Sequence, residues 1–136
     1  MNSPTVATPL AGRLMGSKEN AFVIAEWRDA GVPPGPPQLI APLHVHHSDD
    51  EAWYVLEGVL RVQVGDEVVE ARVGAGVFVV RGTKHTYWNP SPEPCRYLLV
   101  MSAQIYSLIQ AIHAMQERTP AALREVFRKY DSELLG

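Results

Sequence analysis

The sequence predicts an all-β domain, an antiparallel sandwich or barrel, carrying a two-helix extension at its C-terminal end. Three observations lead there. From residue 21 to residue 101 the chain is a succession of short apolar segments broken by glycine and proline, the texture of closely spaced antiparallel strands. Residues 103–135 then contain no glycine and one proline, Pro120, and their apolar residues fall at helical spacing. The length, 136 residues with 46% apolar and 20% charged side chains, suits one globular domain with a core of its own.

Residues 1–20 are small and polar, with Pro4, Pro9, Gly12 and Gly16, and read as an arm able to order on a partner subunit. Residues 21–27 form the first strand. Residues 29–37 are a loop, because four prolines and two glycines remove backbone donors and fix φ. Residues 39–46 are the next strand, which Pro42 confines to an edge or a bulge. Strands at 51–56 and 59–64 flank a tight turn at Gly58, and the Gly65-Asp66 turn leads into a strand at 67–73. Gly74-Ala75-Gly76 precedes residues 77–80; strands at 85–89 and 96–101 follow, separated by Pro-Ser-Pro-Glu-Pro. In the tail, Ile105, Leu108, Ile109, Ile112 and Met115 make one apolar stripe. Thr119 before Pro120 is a helix start, a hydroxyl N-cap and then proline at the first helical position. Leu123, Val126, Phe127, Tyr130 and Leu134 make a second stripe. The expected division is an arm over 1–20, a barrel over 21–101 and a helical extension over 102–136, the helices covering one mouth of the barrel or packing on a second subunit.

Composition excludes several classes of function. Twelve Lys and Arg against fifteen Asp and Glu give a net charge of −3, so no basic stripe is available to a nucleic-acid partner. The lone Cys95 rules out an internal disulfide and a CxxC metal knuckle. No apolar run approaches the roughly 20 residues of a membrane helix. The first sixteen residues lack the basic start and apolar block of a signal peptide. A cytoplasmic protein without a membrane partner is therefore expected.

The chemistry concentrates in residues 42–51, Pro-Leu-His-Val-His-His-Ser-Asp-Asp-Glu. His44 and His46 are two apart, so on a strand both rings point to one face, where two imidazoles can ligate one metal. The polar, turn-prone residues between His46 and Glu51 let the chain bend and bring the Glu51 carboxylate back toward the rings. His85 follows 39 residues after His46, and in a small barrel strands that far apart in sequence often face each other.

His44, His46, Glu51 and Gly58 fit HxH-x4-E-x6-G, and Gly74, Gly82, His85 and Asn89 fit G-x7-G-x2-H-x3-N. These are the two motifs of the cupins, and the sequence resembles a small single-domain cupin over residues 44–89. Two positions depart from the pattern: Gln38 stands where the first motif usually opens with glycine, and Val80 where the second usually has proline. Neither is a ligand position. The resemblance implies a double-stranded β-helix, or jelly-roll, barrel, with His44, His46, Glu51 and His85 as metal ligands. It also implies a homodimer, joined through sheet edges and arms.

Three imidazoles and a carboxylate suit Fe, Mn, Ni, Cu, Co or Zn as the divalent ion. Strand parity places Trp53 with Glu51 and Tyr87 with His85, so Trp53 and Tyr87 are expected to line the pocket, or to pack in the core. A buried Tyr87 hydroxyl needs a partner, which a substrate oxygen or metal-bound water would supply. Glu51 can serve as base where it is not tightly ligated. His47, of opposite parity, and Asp49 and Asp50 read as turn residues, Asn89 as turn-forming, His113 as a surface or packing residue, and Cys95 has no assigned role. Gly82 bends the backbone just before His85 and helps aim that ring inward. Three functions fit: a metal-dependent dioxygenase of the quercetinase-like kind acting on a small organic molecule; a metal-dependent isomerase or lyase of a sugar or keto acid; and a non-catalytic module that binds a small ligand.

Overall fold

Alternating burial builds the core. Along β9 (Cys95–Ser102) every second residue, Cys95, Tyr97, Leu99 and Met101, is buried. On β4 (Glu51–Glu57) the inward row is Glu51, Trp53 and Val55, and on β5 (Val59–Val64) it includes Leu60 and Val62. Each such aliphatic side chain taken out of water contributes roughly 1.5–3 kcal/mol to the folded state. The computed structural model describes Val6, Gly12 and residues 14–136. The remaining strands are β1 (Leu14–Met15), β2 (Phe22–Asp29), β3 (Leu39–His46), β6 (Glu67–Arg72), β7 (Gly76–Val79), β8 (His85–Trp88) and β10 (Ser132–Leu134), with helices α1 (Ala103–Ala114) and α2 (Pro120–Lys129).

These strands form two antiparallel five-stranded sheets, ordered β1-β2-β9-β4-β7 and β10-β3-β8-β5-β6. From β2 to β5, and again from β7 to β9, successive strands pass from one sheet to the other. Two inner faces are thereby packed into the jelly-roll sandwich that the sequence predicts. The predicted Gly58 turn is present, with φ +75°, and a Cβ there would meet the Pro94 carbonyl oxygen at 2.3 Å. Pro42 also acts as expected: β3 is an inner strand, and its register against β8 shifts between Ala41 and His44.

Both helices begin where their caps lie. Ser102 Oγ accepts from Ile105 N–H at 3.1 Å, and Thr119 Oγ1 accepts from Ala122 N–H at 3.2 Å ahead of Pro120. Ile105 and Leu108 of α1 and Phe127 of α2 are buried, and both helices wall a cavity that continues into the barrel.

The second stripe ends earlier than its spacing predicts. α2 stops at Lys129, Asp131 takes a left-handed φ of +52°, and the chain turns into β10, so Leu134 lies on a strand beside β3. β1 is likewise a strand that composition did not reveal. Most of the predicted N-terminal arm, including Pro4 and Pro9, lies outside the described residues. No helix among the described residues is long and apolar enough to cross a membrane.

Candidate metal centre

The fold places the four residues singled out by spacing on three strands of two sheets. His44 and His46 share a face of β3; His85 opens β8 and pairs in register with His44; Glu51 opens β4 in the opposite sheet. All four are buried, at 1–5% exposure, and one ligand atom from each lies within 4.8 Å of the others. Backbone contacts link the ligand strands. Gly82 N–H donates to the His46 carbonyl at 2.7 Å, with Gly82 at φ +81°, which joins the approach to β8 to the end of β3.

Hydrogen bonds fix the state of the three rings. His44 Nδ1 lies 2.5 Å from the Pro42 carbonyl, and His85 Nδ1 lies 2.9 Å from the Thr83 carbonyl. A carbonyl only accepts, so both nitrogens carry a proton. His46 Nδ1 lies 2.7 Å from Ser132 Oγ, and Ser132 gives its one proton to the Tyr130 carbonyl at 3.1 Å. His46 must then donate as well. In the neutral rings each Nε2 is therefore a bare lone pair, and all three converge on Glu51.

The spacings fit a shared cation. His44 Nε2 and His46 Nε2 are 3.1 Å apart, His85 Nε2 is 3.0 Å from Glu51 Oε1, and His46 Nε2 is 3.5 Å from the same oxygen. Ligands about 2.1 Å from a metal and at right angles to each other lie ~3.0 Å apart. Two lone pairs facing at that distance, with no proton between them, repel unless a positive charge intervenes. The cluster is able to hold a metal ion, and its nitrogen and carboxylate donors suit a divalent transition metal.

Burial and neighbouring groups shift two members of the cluster. Burial, reinforced by the neighbouring charges of His85 and His46, pushes His44 down from 6.5 to about 3, so its ring is neutral at ordinary pH. For Glu51 burial acts upward, but hydrogen bonds from His46 and His85 and their charge outweigh it and hold the carboxyl at about 2. Those contacts are hydrogen bonds only while a ring carries a second proton on Nε2, the proton that a bound metal would displace.

Comparison with known proteins agrees with the residues. A family model described as "Cupin domain" matches residues 32–101. The chain belongs to the cupin family. Among solved structures, a protein from Thermus thermophilus superposes with a TM-score of 0.54 at 27% identity, over 65% of this chain and 76% of its own. An uncharacterised conserved protein with a double-stranded β-helix domain from Klebsiella pneumoniae has a TM-score of 0.51 at 28% identity, over 62% of this chain and 69% of its own. A putative sugar phosphate isomerase from Acidithiobacillus ferrooxidans shares the fold, with a TM-score of 0.52 at 21% identity, over 61% of this chain and 51% of its own. Comparison with curated proteins yields no match.

The cupin barrel leaves a cavity of about 430 Å³ beside the four clustered residues. Trp53 and Tyr87 both line it, and both are also part of the core. The Tyr87 hydroxyl has found its partner in Tyr97, at 2.9 Å, and Tyr97 lines the cavity too. Burial, the adjacent Tyr97 and the hydrogen bond to it raise Tyr87 well above an ordinary phenol. The Trp53 N–H pulls weakly the other way without forming a hydrogen bond of normal geometry. Both tyrosines thus stay protonated. Two hydroxyls hold two protons and one serves their mutual bond, so one remains to be donated.

Several wall residues were not anticipated. Ile40, Leu108, Ile109, Ile112, Leu123 and Phe127 supply apolar surface, and Phe127 meets the His44 ring edge-on at 5.5 Å between centroids. Tyr97 was within reach, since it shares parity with the buried Leu99 and Met101. His113, read as a surface or packing residue, is exposed yet lines the cavity with Arg118. His47 is exposed as predicted, Asp50 pairs with Arg81 at 2.9 Å, and Asn89 accepts from Ser91 N–H in a turn. Cys95 is buried, which pushes its thiol up to about 11 and leaves it unreactive.

Proposed function

We propose that this cupin is a metal-dependent enzyme acting on a small, largely apolar organic molecule, with His44, His46, Glu51 and His85 as the metal ligands and a dioxygenase-like reaction. The observation that carries the reading is the set of three Nε2 lone pairs and one carboxylate gathered within 4.8 Å of one another beside a cavity of the barrel. Once bound, a divalent ion would supply Lewis acidity toward a substrate enol, phenol or similar oxygen. The protein's own groups do the rest. Ile40, Leu108, Ile109, Ile112 and Leu123 give the substrate body an apolar wall to pack against. Glu51, where it is not tightly ligated, can accept the substrate's proton. The Tyr87–Tyr97 pair offers its remaining proton to a substrate oxygen. The mostly apolar wall gives a sugar's hydroxyls few partners, which favours this reading over sugar isomerisation.

The proposed assembly is a homodimer. The outer face of the β1-β2-β9-β4-β7 sheet carries exposed Phe22, Tyr54 and Phe78, a surface suited to a second copy. The proposed setting is the cytoplasm, where a lone thiol such as Cys95 stays reduced.

The test begins with metal analysis of wild-type protein and of protein reconstituted with each candidate ion. The Fe(II)-loaded form is then offered flavonols and catechols while oxygen uptake is followed. His44→Ala and His85→Ala should carry no metal. Protein that stays empty under every reconstitution ends the ligand assignment. Turnover that persists without oxygen moves the reading to an isomerase or lyase, and tight binding without turnover by any metal form moves it to a binding module.

A further inference from the structure

β10 brings a side chain to the metal centre from beyond the residues matched by the family model. It pairs with β3 in the register Ser132↔His46, Glu133↔Val45 and Leu134↔His44. His47 N–H to the Asp131 carbonyl and Leu135 N–H to the Leu43 carbonyl, both 2.9 Å, extend the pairing at either end. To reach this register the chain passes through Asp131 at φ +52°, a conformation that costs an L residue of this kind roughly 1 kcal/mol. A 2.6 Å hydrogen bond from Ser48 Oγ to Asp131 Oδ2 ties that turn to the loop after β3. The result is a hydroxyl only 2% exposed, set 2.7 Å from His46 Nδ1 with its own proton already given to Tyr130.

We propose that Ser132 is a positioning residue of the metal centre: its Oγ, delivered by β10, holds the His46 ring in the Nδ1–H form with Nε2 turned toward His44 and Glu51. Pro42 and Thr83 do the same for His44 and His85 through backbone carbonyls within two residues of each ring. His46 alone of the three takes its acceptor from a distant side chain, 86 residues away. Without that oxygen a buried N–H has no acceptor. The ring then relieves the loss by turning, or by moving its proton to Nε2, where it blocks the cation.

The affinity side of this proposal rests on the metal reading; the ring-state side does not. Full-length wild type, Ser132→Ala and Ser132→Thr are compared in two measurements. Zn(II) affinity is read by competition with a chromogenic chelator, and the tautomer of His46 in metal-free protein by long-range 1H–15N correlation. Ser132→Ala should weaken Zn(II) binding by about 10- to 100-fold and shift His46 away from the pure Nδ1–H form. Ser132→Thr, which keeps the hydroxyl, should restore both. The proposal falls if Ser132→Ala matches wild type in either measurement, or if Ser132→Thr fails alongside it. Should Ser132→Ala not fold, Ser132→Cys, close in size and a weak acceptor, takes its place. A wild-type chain that binds no Zn(II) overturns the metal reading, and the tautomer measurement then decides on Ser132 by itself.

Discussion

Replacing Gly82 with alanine perturbs the centre while leaving every ligand in place. Gly82 has φ +81°, and a Cβ built on it meets no atom within 4 Å, so the substitution carries a backbone penalty and no clash. Holding an L residue in that region costs roughly 1–2 kcal/mol. Relaxing to negative φ would break the 2.7 Å bond from Gly82 N–H to the His46 carbonyl and move the approach to His85, three residues on. A metal-free chain can relax in that way, but a metal-bound one must restore the turn. The strain is then charged to binding, and 1–2 kcal/mol corresponds to about 5- to 30-fold weaker affinity. Gly74 is the control: it has φ +86°, an equally open surrounding, and a bond to Val55 away from the ligands. Urea unfolding of the metal-free proteins should show similar losses of stability for Gly82→Ala and Gly74→Ala. Isothermal titration with Zn(II) or Ni(II) should show the affinity loss for Gly82→Ala alone. Equal affinities in both variants would mean that the Gly82 link plays no part in aiming His85.

Acid should destabilise the metal-free protein. His44 binds its proton at about 3 folded and near 6.5 unfolded, so the unfolded chain holds more protons between those values and stability falls as pH is lowered, by about 2 kcal/mol at pH 5 from this group; Glu51, at about 2 against 4.5, adds a loss in the same direction below pH 4.5. A thermal midpoint unchanged from pH 7 to pH 5 would contradict this, and metal loading should flatten the profile. Gly58→Ala combines φ +75° with a 2.3 Å approach to the Pro94 oxygen, so urea unfolding should show a loss of roughly 2–5 kcal/mol, well above that of Gly65→Ala, where nothing lies within 4 Å. Ile109→Trp should fill the cavity and abolish substrate turnover while metal content stays at the wild-type level, since Ile109 lines the cavity but is none of the four clustered residues.

What could be read from the residues was what depends on short range. Parity along β3 put His44 and His46 on one face, and glycine at 58, 65, 74 and 82 marked turns that the backbone makes with positive φ. Glu51 and His85 came from motif spacing, and both sit in the cluster. Leu134 shows where that logic stops. Its spacing continues the α2 stripe, but Asp131 breaks the helix because pairing with β3 outweighs another helical turn. Ser132 carried no signal at all: a serine near a chain end is ordinary, and its meaning comes from a partner 86 residues away. Which side of the helices faces the cavity was equally hidden, since an apolar stripe records that a face is buried and not what buries it.

The path of β10 has a practical side. A side-chain carbon built on Gly136 would lie 3.9 Å from Leu43 Cβ, one residue before His44. Whatever follows Gly136 therefore emerges beside the strand that carries two of the imidazoles. A polyhistidine purification handle joined there would present rival nitrogen donors close to the centre, and metal assays on such a preparation would count ions held by the handle.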